Sequence, residues 1–150
     1  MRIVIQRVQR ASVSINQQEH CAIGPGMMVL VGVREGDTAA DAEWLARKTT
    51  QLRIFDDEQG VMNLNVLQAG GEVLAVSQFT LHASTRKGNR PSYIHAAGHD
   101  VAVPCYEAYC DQVAALLGQE VRRGVFGADM QVELVNDGPV TIIIDSLLKE

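Results

Sequence analysis

The chain has 150 residues, which fits one domain. Hydrophobic residues make up 47% of it and charged residues 21%, a balance that supports a buried core and excludes a disordered chain. The net charge of −5 argues against a protein coated in basic surface for nucleic acid, while leaving room for a local basic patch. No apolar run reaches the length that spans a bilayer. The opening residues, Met1 to Arg7, do not read as a signal peptide, because charges return early and no small-residue cleavage site follows. The expectation is a cytoplasmic protein that does not enter a membrane.

The N-terminal third reads as strands. Residues 2–8 are rich in β-formers, and residues 11–15 alternate, with Val13 and Ile15 on one face and Ser12 and Ser14 on the other. Asn16 to Glu19 is a hairpin tip, and Gly24-Pro25-Gly26 a turn. Met27 to Val33 is a continuous apolar run bounded by glycine, as in a strand buried on both faces. Thr38-Ala39-Ala40-Asp41 has the form of a helix start, a hydroxyl followed three residues later by an acid. Ala42, Leu45, Ala46, Thr49 and Leu52 then recur at helical spacing, so a helix should run to about residue 52. Arg53 to Phe55 is short and extended, residues 56–60 turn, and residues 63–71 are irregular.

The central strand is expected over 72–81, with Val73, Ala75, Ser77, Phe79 and Leu81 on one face and Leu74, Val76, Gln78 and Thr80 on the other. Residues 82–99 form a long polar connection that holds His82, His95 and His99 and the cluster Arg86-Lys87-Gly88-Asn89-Arg90. A long connection of this kind is uncommon unless it has a function. A second helix is expected over 101–117, with Pro104 in its first turn and Gly118 ending it. Strands near 130–136 and 139–145 close the chain, joined by Asn136-Asp137-Gly138-Pro139. The hairpin-type turns predict an α+β domain: a curled, barrel-like, mostly antiparallel sheet with two main helices.

Two segments break the core pattern. Ser77-Gln78-Phe79-Thr80 puts polar side chains into a strand that otherwise reads as buried. They fit a strand near a sheet edge, with its hydroxyls satisfied. They also fit a reactive site in which strand amides polarise a carbonyl, or in which Thr80 acts as a nucleophile. A nucleophilic Thr80 lacks a convincing base, since His82 lies two residues along the same face, about 6–7 Å away by strand rise. Gly138-Pro139 reads either as a β-turn or as a rigid wall that presents two carbonyls to a ligand and excludes the wrong shape. The cluster Arg86, Lys87 and Arg90 fits a solvated loop or an anion contact.

The three cysteines, Cys21, Cys105 and Cys110, match no zinc or redox spacing and read as reduced packing residues. The four histidines, His20, His82, His95 and His99, lack metal-ligand spacing, so neither metal nor cofactor is expected. No phosphate loop, nucleophile elbow or dinucleotide fingerprint occurs.

With these residues in view, the chain resembles the D-aminoacyl-tRNA deacylase family, collinearly over nearly its whole length. Ile5-Gln6-Arg7-Val8 with Ala11-Ser12-Val13 is similar to the family's start. Arg53-Ile54-Phe55, Met62-Asn63-Leu64-Asn65 and Gln68-Ala69-Gly70-Gly71 match its middle, and Gly88 to Tyr93 its Arg-Pro-Ser-aromatic stretch. Ser77-Gln78-Phe79-Thr80-Leu81 and Asn136-Asp137-Gly138-Pro139-Val140-Thr141 match its two signature motifs. Residues 82–87 and those after Ile144 fall outside the resemblance.

The resemblance implies a homodimeric editing enzyme that hydrolyses the ester between a D-amino acid and tRNA, clears mischarged glycine and rejects L-amino acids. It implies a cis Gly138-Pro139 peptide, oriented by Arg7 and inserted into the partner subunit's pocket. There its carbonyls would hold the substrate amine, with Asn136 in the same motif. Ser77, Gln78, Phe79 and Thr80 would line the pocket, with the Phe79 amide near the scissile carbonyl. The tRNA's own 2′-hydroxyl would assist in place of a protein nucleophile, using the group that marks RNA. Arg86, Lys87 and Arg90 are then candidates for tRNA phosphate contacts. The competing readings are a Thr80-nucleophile esterase or peptidase, and a non-catalytic RNA-binding module.

Overall fold

The computed structural model describes all 150 residues. Its organising element is β1, a single strand over Arg2–Ile15 where two had been expected. One edge of β1 pairs antiparallel with the last strand, β8 (Gln131–Asp145), from Arg2↔Asp145 to Ser14↔Gln131. Its other edge is shared between β3 (Gly26–Gly32), along residues 2–8, and β2 (Gln18–Ile23), along residues 11–15. A strand that must serve two partners on one edge has to bend, and the sheet curls with it. Asn16 and Gln17, with φ of 52° and 65°, form the two-residue tip between β1 and β2 that matches the natural strand twist.

The sheet order is β2-β1-β3-β6-β7, where β6 is Glu72–Ser77 and β7 is Arg122–Arg123. The pairings of β1 are antiparallel, as expected, but β3/β6 and β6/β7 are parallel. Each parallel pairing needs a crossover, and the two helices lie in those crossovers. The result is a nearly closed, barrel-like mixed sheet with two helices, an α+β domain. A separate two-stranded ribbon, β4 (Phe55–Asp56) with β5 (Met62–Leu64), precedes β6.

Helix α1 runs Ala39–Gln51. Its start was legible, since the Asp41 carboxylate accepts from the Thr38 amide at 2.9 Å and from its hydroxyl at 3.1 Å. Helix α2 runs His99–Leu117, beginning two residues before the expected start, so Pro104 is its sixth residue rather than part of the first turn. Gly118 ends it in the left-handed conformation, with φ 66° and its amide bonded to Ala114 O at 3.0 Å. No helix is long and apolar enough to cross a membrane.

The helices pack on one face of the sheet around Ile3, Ile5, Val29, Leu45 and Tyr109, all fully buried. Each such side chain contributes roughly 1.5–3 kcal/mol through burial. The Tyr109 hydroxyl meets Thr49 Oγ1 at 2.8 Å, and the Tyr106 hydroxyl donates to Ala75 O at 3.0 Å. The opposite face closes over Val8, Val13, Met28, Leu74 and Val76.

Further expected elements differ. The strand expected over 72–81 stops at Ser77, because β3 ends at Gly32 and leaves no ladder beyond Val31↔Ser77. Residues 79–82 instead form a 3₁₀ helix across the end of β3. The strands expected over 130–136 and 139–145 are one strand, β8, interrupted by an excursion instead of broken by a turn. The connection 82–99 also has more structure than expected, with bridges Ser84↔Ser92 and Arg34↔Ala96. His82 is buried and His99 begins α2.

Candidate active site

Ser77, Gln78 and Phe79 line a cavity of about 690 Å³, where β6 gives way to the 3₁₀ helix. Its walls include Val31, Val76, Ala102, Phe126 and Met130, together with Tyr93 and His99. Phe79 is 55% exposed and stands edge-on to Tyr93, with ring centroids 5.0 Å apart. Phe126 is held between His99, 5.2 Å away, and Tyr106, 6.0 Å away. The Gln78 amide N–H donates to Val31 O at 2.8 Å, which fixes the point where the strand turns. Leu81 N donates to Gln78 O within the turn, so the amides of Phe79 and Thr80 open it without an acceptor inside it.

Thr80 does not line this cavity. Its hydroxyl is paired with the side-chain amide of Gln78, a group that cannot take up a proton. His82 is not the missing base. Its imidazole is buried, and its Nε2 has no partner. Burial pushes its pKa below the ordinary value, the Gly32 backbone opposes that shift, and the nearby Arg34 and Arg2 guanidiniums add to it.

The second segment takes its shape from a mismatch in register. Between Gln6↔Thr141 and Val8↔Asn136, a single residue of β1, Arg7, faces the four residues 137–140 of β8. The surplus loops out as an excursion with the Gly138–Pro139 peptide, which is cis, near its tip. Asn136 clasps the base: its Oδ1 accepts from Val140 N at 2.7 Å, and its Nδ2 donates to Val140 O at 3.2 Å and Thr141 Oγ1 at 3.1 Å. Arg7, only 8% exposed, donates from Nε to Asp137 O at 2.8 Å and from Nη1 to Ile54 O at 2.7 Å, with Asp56 Oδ1 at 3.3 Å. Gly138 and Pro139 are exposed, and neither they nor Arg7 and Asn136 line the cavity beside Ser77.

Arg86, Lys87 and Arg90 are exposed on the loop closed by the Ser84↔Ser92 bridge. No group of three histidine, cysteine or acidic side chains is placed to hold a metal. All three cysteines are free, and Cys105 and Cys110 are buried. The residues that sequence reasoning missed are those that reach the site from afar: His99 and Phe126 in the cavity wall, and Gly32, Arg2 and Asp145 behind the 3₁₀ helix. No local pattern marks them, because their partners are distant in the chain.

The model of the D-Tyr-tRNA(Tyr) deacylase family matches residues 4–145. A D-aminoacyl-tRNA deacylase of Parabacteroides distasonis is 62% identical over 150 residues, covering all of both chains. One of Dechloromonas aromatica is 55% identical over the same full span. Among solved structures, a protein described as c-Myc DNA unwinding element binding protein gives a TM-score of 0.90 at 39% identity, over 97% of this chain and 98% of that one. A probable eukaryotic D-amino acid tRNA deacylase gives 0.80 at 16% identity over 95% and 97%, a likeness of fold.

Proposed function

Because the chain belongs to the D-Tyr-tRNA(Tyr) deacylase family and is a hydrolase of D-aminoacyl-tRNA esters, we propose that it proofreads chirality as a homodimer in the cytoplasm, with Gly138-Pro139 of each subunit entering the cavity of the other. One observation carries this reading. The Gly138-Pro139 tip is exposed, yet its base is fixed by Arg7 and Asn136, and it lies outside the cavity that Ser77, Gln78 and Phe79 line in its own chain. A rigid polar tip and an open cavity on the same chain complete each other only through a second copy.

In the completed site the two tip carbonyls accept the substrate's ammonium, and the rigid dipeptide leaves no room for an L side chain. Glycine passes because it has nothing to clash. The Phe79 amide polarises the ester carbonyl, Ser77 and Gln78 shape the wall around it, and Thr80 braces Gln78 from outside the cavity. An aminoacyl ester is already activated, so positioning and polarisation supply much of the acceleration. The attacking water is assisted by the terminal 2′-hydroxyl of the tRNA, in keeping with a Thr80 hydroxyl that is bonded to an amide rather than to a base. Arg86, Lys87 and Arg90 hold phosphates of the tRNA.

The test is release of amino acid from D-tyrosyl-, L-tyrosyl- and glycyl-tRNA. The D-tyrosyl and glycyl esters should be cleaved and the L-tyrosyl ester spared, and a terminal 2′-deoxyribose should abolish turnover. Activity that survives the deoxy substrate but vanishes in Thr80→Ala points to the nucleophile esterase, and no release at all to a binding module. In the same assay, replacing Arg86, Lys87 and Arg90 should weaken binding and flatten its salt dependence by about one unit per cation.

A further inference from the structure

The 3₁₀ helix at Phe79–His82 is pinned from two sides. On one side lies Gly32: a Cβ there would sit 3.0 Å from Gln78 O, 3.0 Å from Leu81 Cβ and 3.2 Å from His82 Nε2, closer than ordinary packing allows. On the other side, Arg2 donates from Nη1 to Leu81 O at 3.0 Å and from Nε to Asp145 Oδ2 at 3.0 Å. Asp145 is itself a buried hub. Its Oδ1 takes Arg34 Nη2 at 3.2 Å and the Leu147 amide at 2.8 Å. Burial pushes its carboxyl upward, but the Leu147 amide, Arg2 and Arg34 outweigh that and hold it below the usual carboxylate range. The carboxylate is therefore charged and accepts from Arg2 Nε while Nη1 reaches the Leu81 carbonyl.

We infer that Arg2, aimed by Asp145, is a positioning residue for the deacylation: by holding the Leu81 carbonyl it fixes the short helix that presents the Phe79 and Thr80 amides to the ester. The inference rests on the reading of those amides as the group that polarises the scissile carbonyl. Arg2 itself does not line the cavity, so it acts through the turn and not on the substrate. Its fork is required because two acceptors must be met at fixed angles. A lysine ammonium, a single point on a flexible stem, cannot bridge both as well.

The experiment is steady-state deacylation of D-tyrosyl-tRNA by wild type, Arg2→Ala and Arg2→Lys, with hydrogen exchange read at residues 79–83. Displacing the amides by a fraction of an ångström to one ångström should lower kcat on the order of 10- to 100-fold. KM should stay within about twofold, since substrate contacts are untouched. Exchange should rise at the bonded amides of this segment, Leu81 and Ala83, and not in α2. Ethylguanidinium should restore part of the kcat of Arg2→Ala, because the Arg2 side chain is 34% exposed and its site is open to a small cation. Ammonium at equal ionic strength should restore none. If Arg2→Ala does not fold, Arg2→Lys and Gly32→Ala, which crowds the same turn from the other side, should give the same kcat-only loss. A folded Arg2 variant with kcat within about twofold of wild type, or a loss confined to KM, overturns the inference. Equal rescue by ammonium does so too. Wild type that releases no D-tyrosine refutes the functional reading instead, so the two failures are distinct.

Discussion

Gly138 is constrained twice, by its backbone and by its neighbours. Its φ is +140°, and a Cβ there would lie 2.8 Å from Val140 Cγ2, 3.1 Å from Val140 N and 3.2 Å from Arg7 Nη2. An alanine would have to displace the two groups that shape the excursion. Gly60 has φ +76° and nothing within 4 Å, so it isolates the backbone cost alone. Both alanine variants should lose roughly 1–3 kcal/mol from the unfavourable φ. Only Gly138→Ala should also lose deacylation, on the order of 100-fold, because in the proposed site the tip would move relative to the substrate amine. Measured melting temperatures alongside kcat/KM for D-tyrosyl-tRNA separate the two effects. Equal activity in both variants would remove Gly138 from the site.

At the scale of elements, the end of β6 is where sequence and structure part. Ser77-Gln78-Phe79-Thr80 was legible as anomalous because three polar side chains interrupt a buried run. The turn at 79–82 was not, because alternation continues through Leu81 and nothing local records that β3 stops at Gly32. The same limit hid the β8 excursion. Gly138-Pro139 reads as a turn from its own residues, and the residue that holds the excursion, Arg7, bonds Asp137 from 130 residues away. Features closed within one helical turn were legible, as at Thr38 with Asp41 and at Gly118. The 3₁₀ helix also carries a pH dependence. His82 has its pKa lowered by burial, so the unfolded chain takes up a proton near pH 6.5 while the folded chain refuses it until lower pH. Stability is full above about pH 6.5 and declines below it. Asp145 has the opposite origin: its lowered carboxyl contributes stability that persists until the pH falls through the carboxylate range. The urea midpoint should therefore drop between pH 7.5 and 5.5 in wild type and drop less in a folded His82→Gln. Identical slopes would assign the loss elsewhere.

At the scale of the molecule, the proposed site is divided between two faces of one chain, and that division can be read by mixing. Gly138→Ala damages the tip and Gln78→Ala the cavity wall. Co-refolded as equal mixtures, about half of the dimers carry one of each and hold one intact site. Two nearly inactive preparations should together recover about a quarter of wild-type activity, measured as D-tyrosine release, while a site built within one chain would recover none. Fold class was legible at this scale, since hairpin turns and two amphipathic helices restrict the architectures open to a chain of this size. The closure of the sheet was not, because it depends on pairing residues 2–14 with 131–145. That pairing also has a consequence for synthesis. β1 is synthesised well before β8, and one whole edge of β1 stays open until β8 emerges. Nascent chains should for that interval be the aggregation-prone form of this protein.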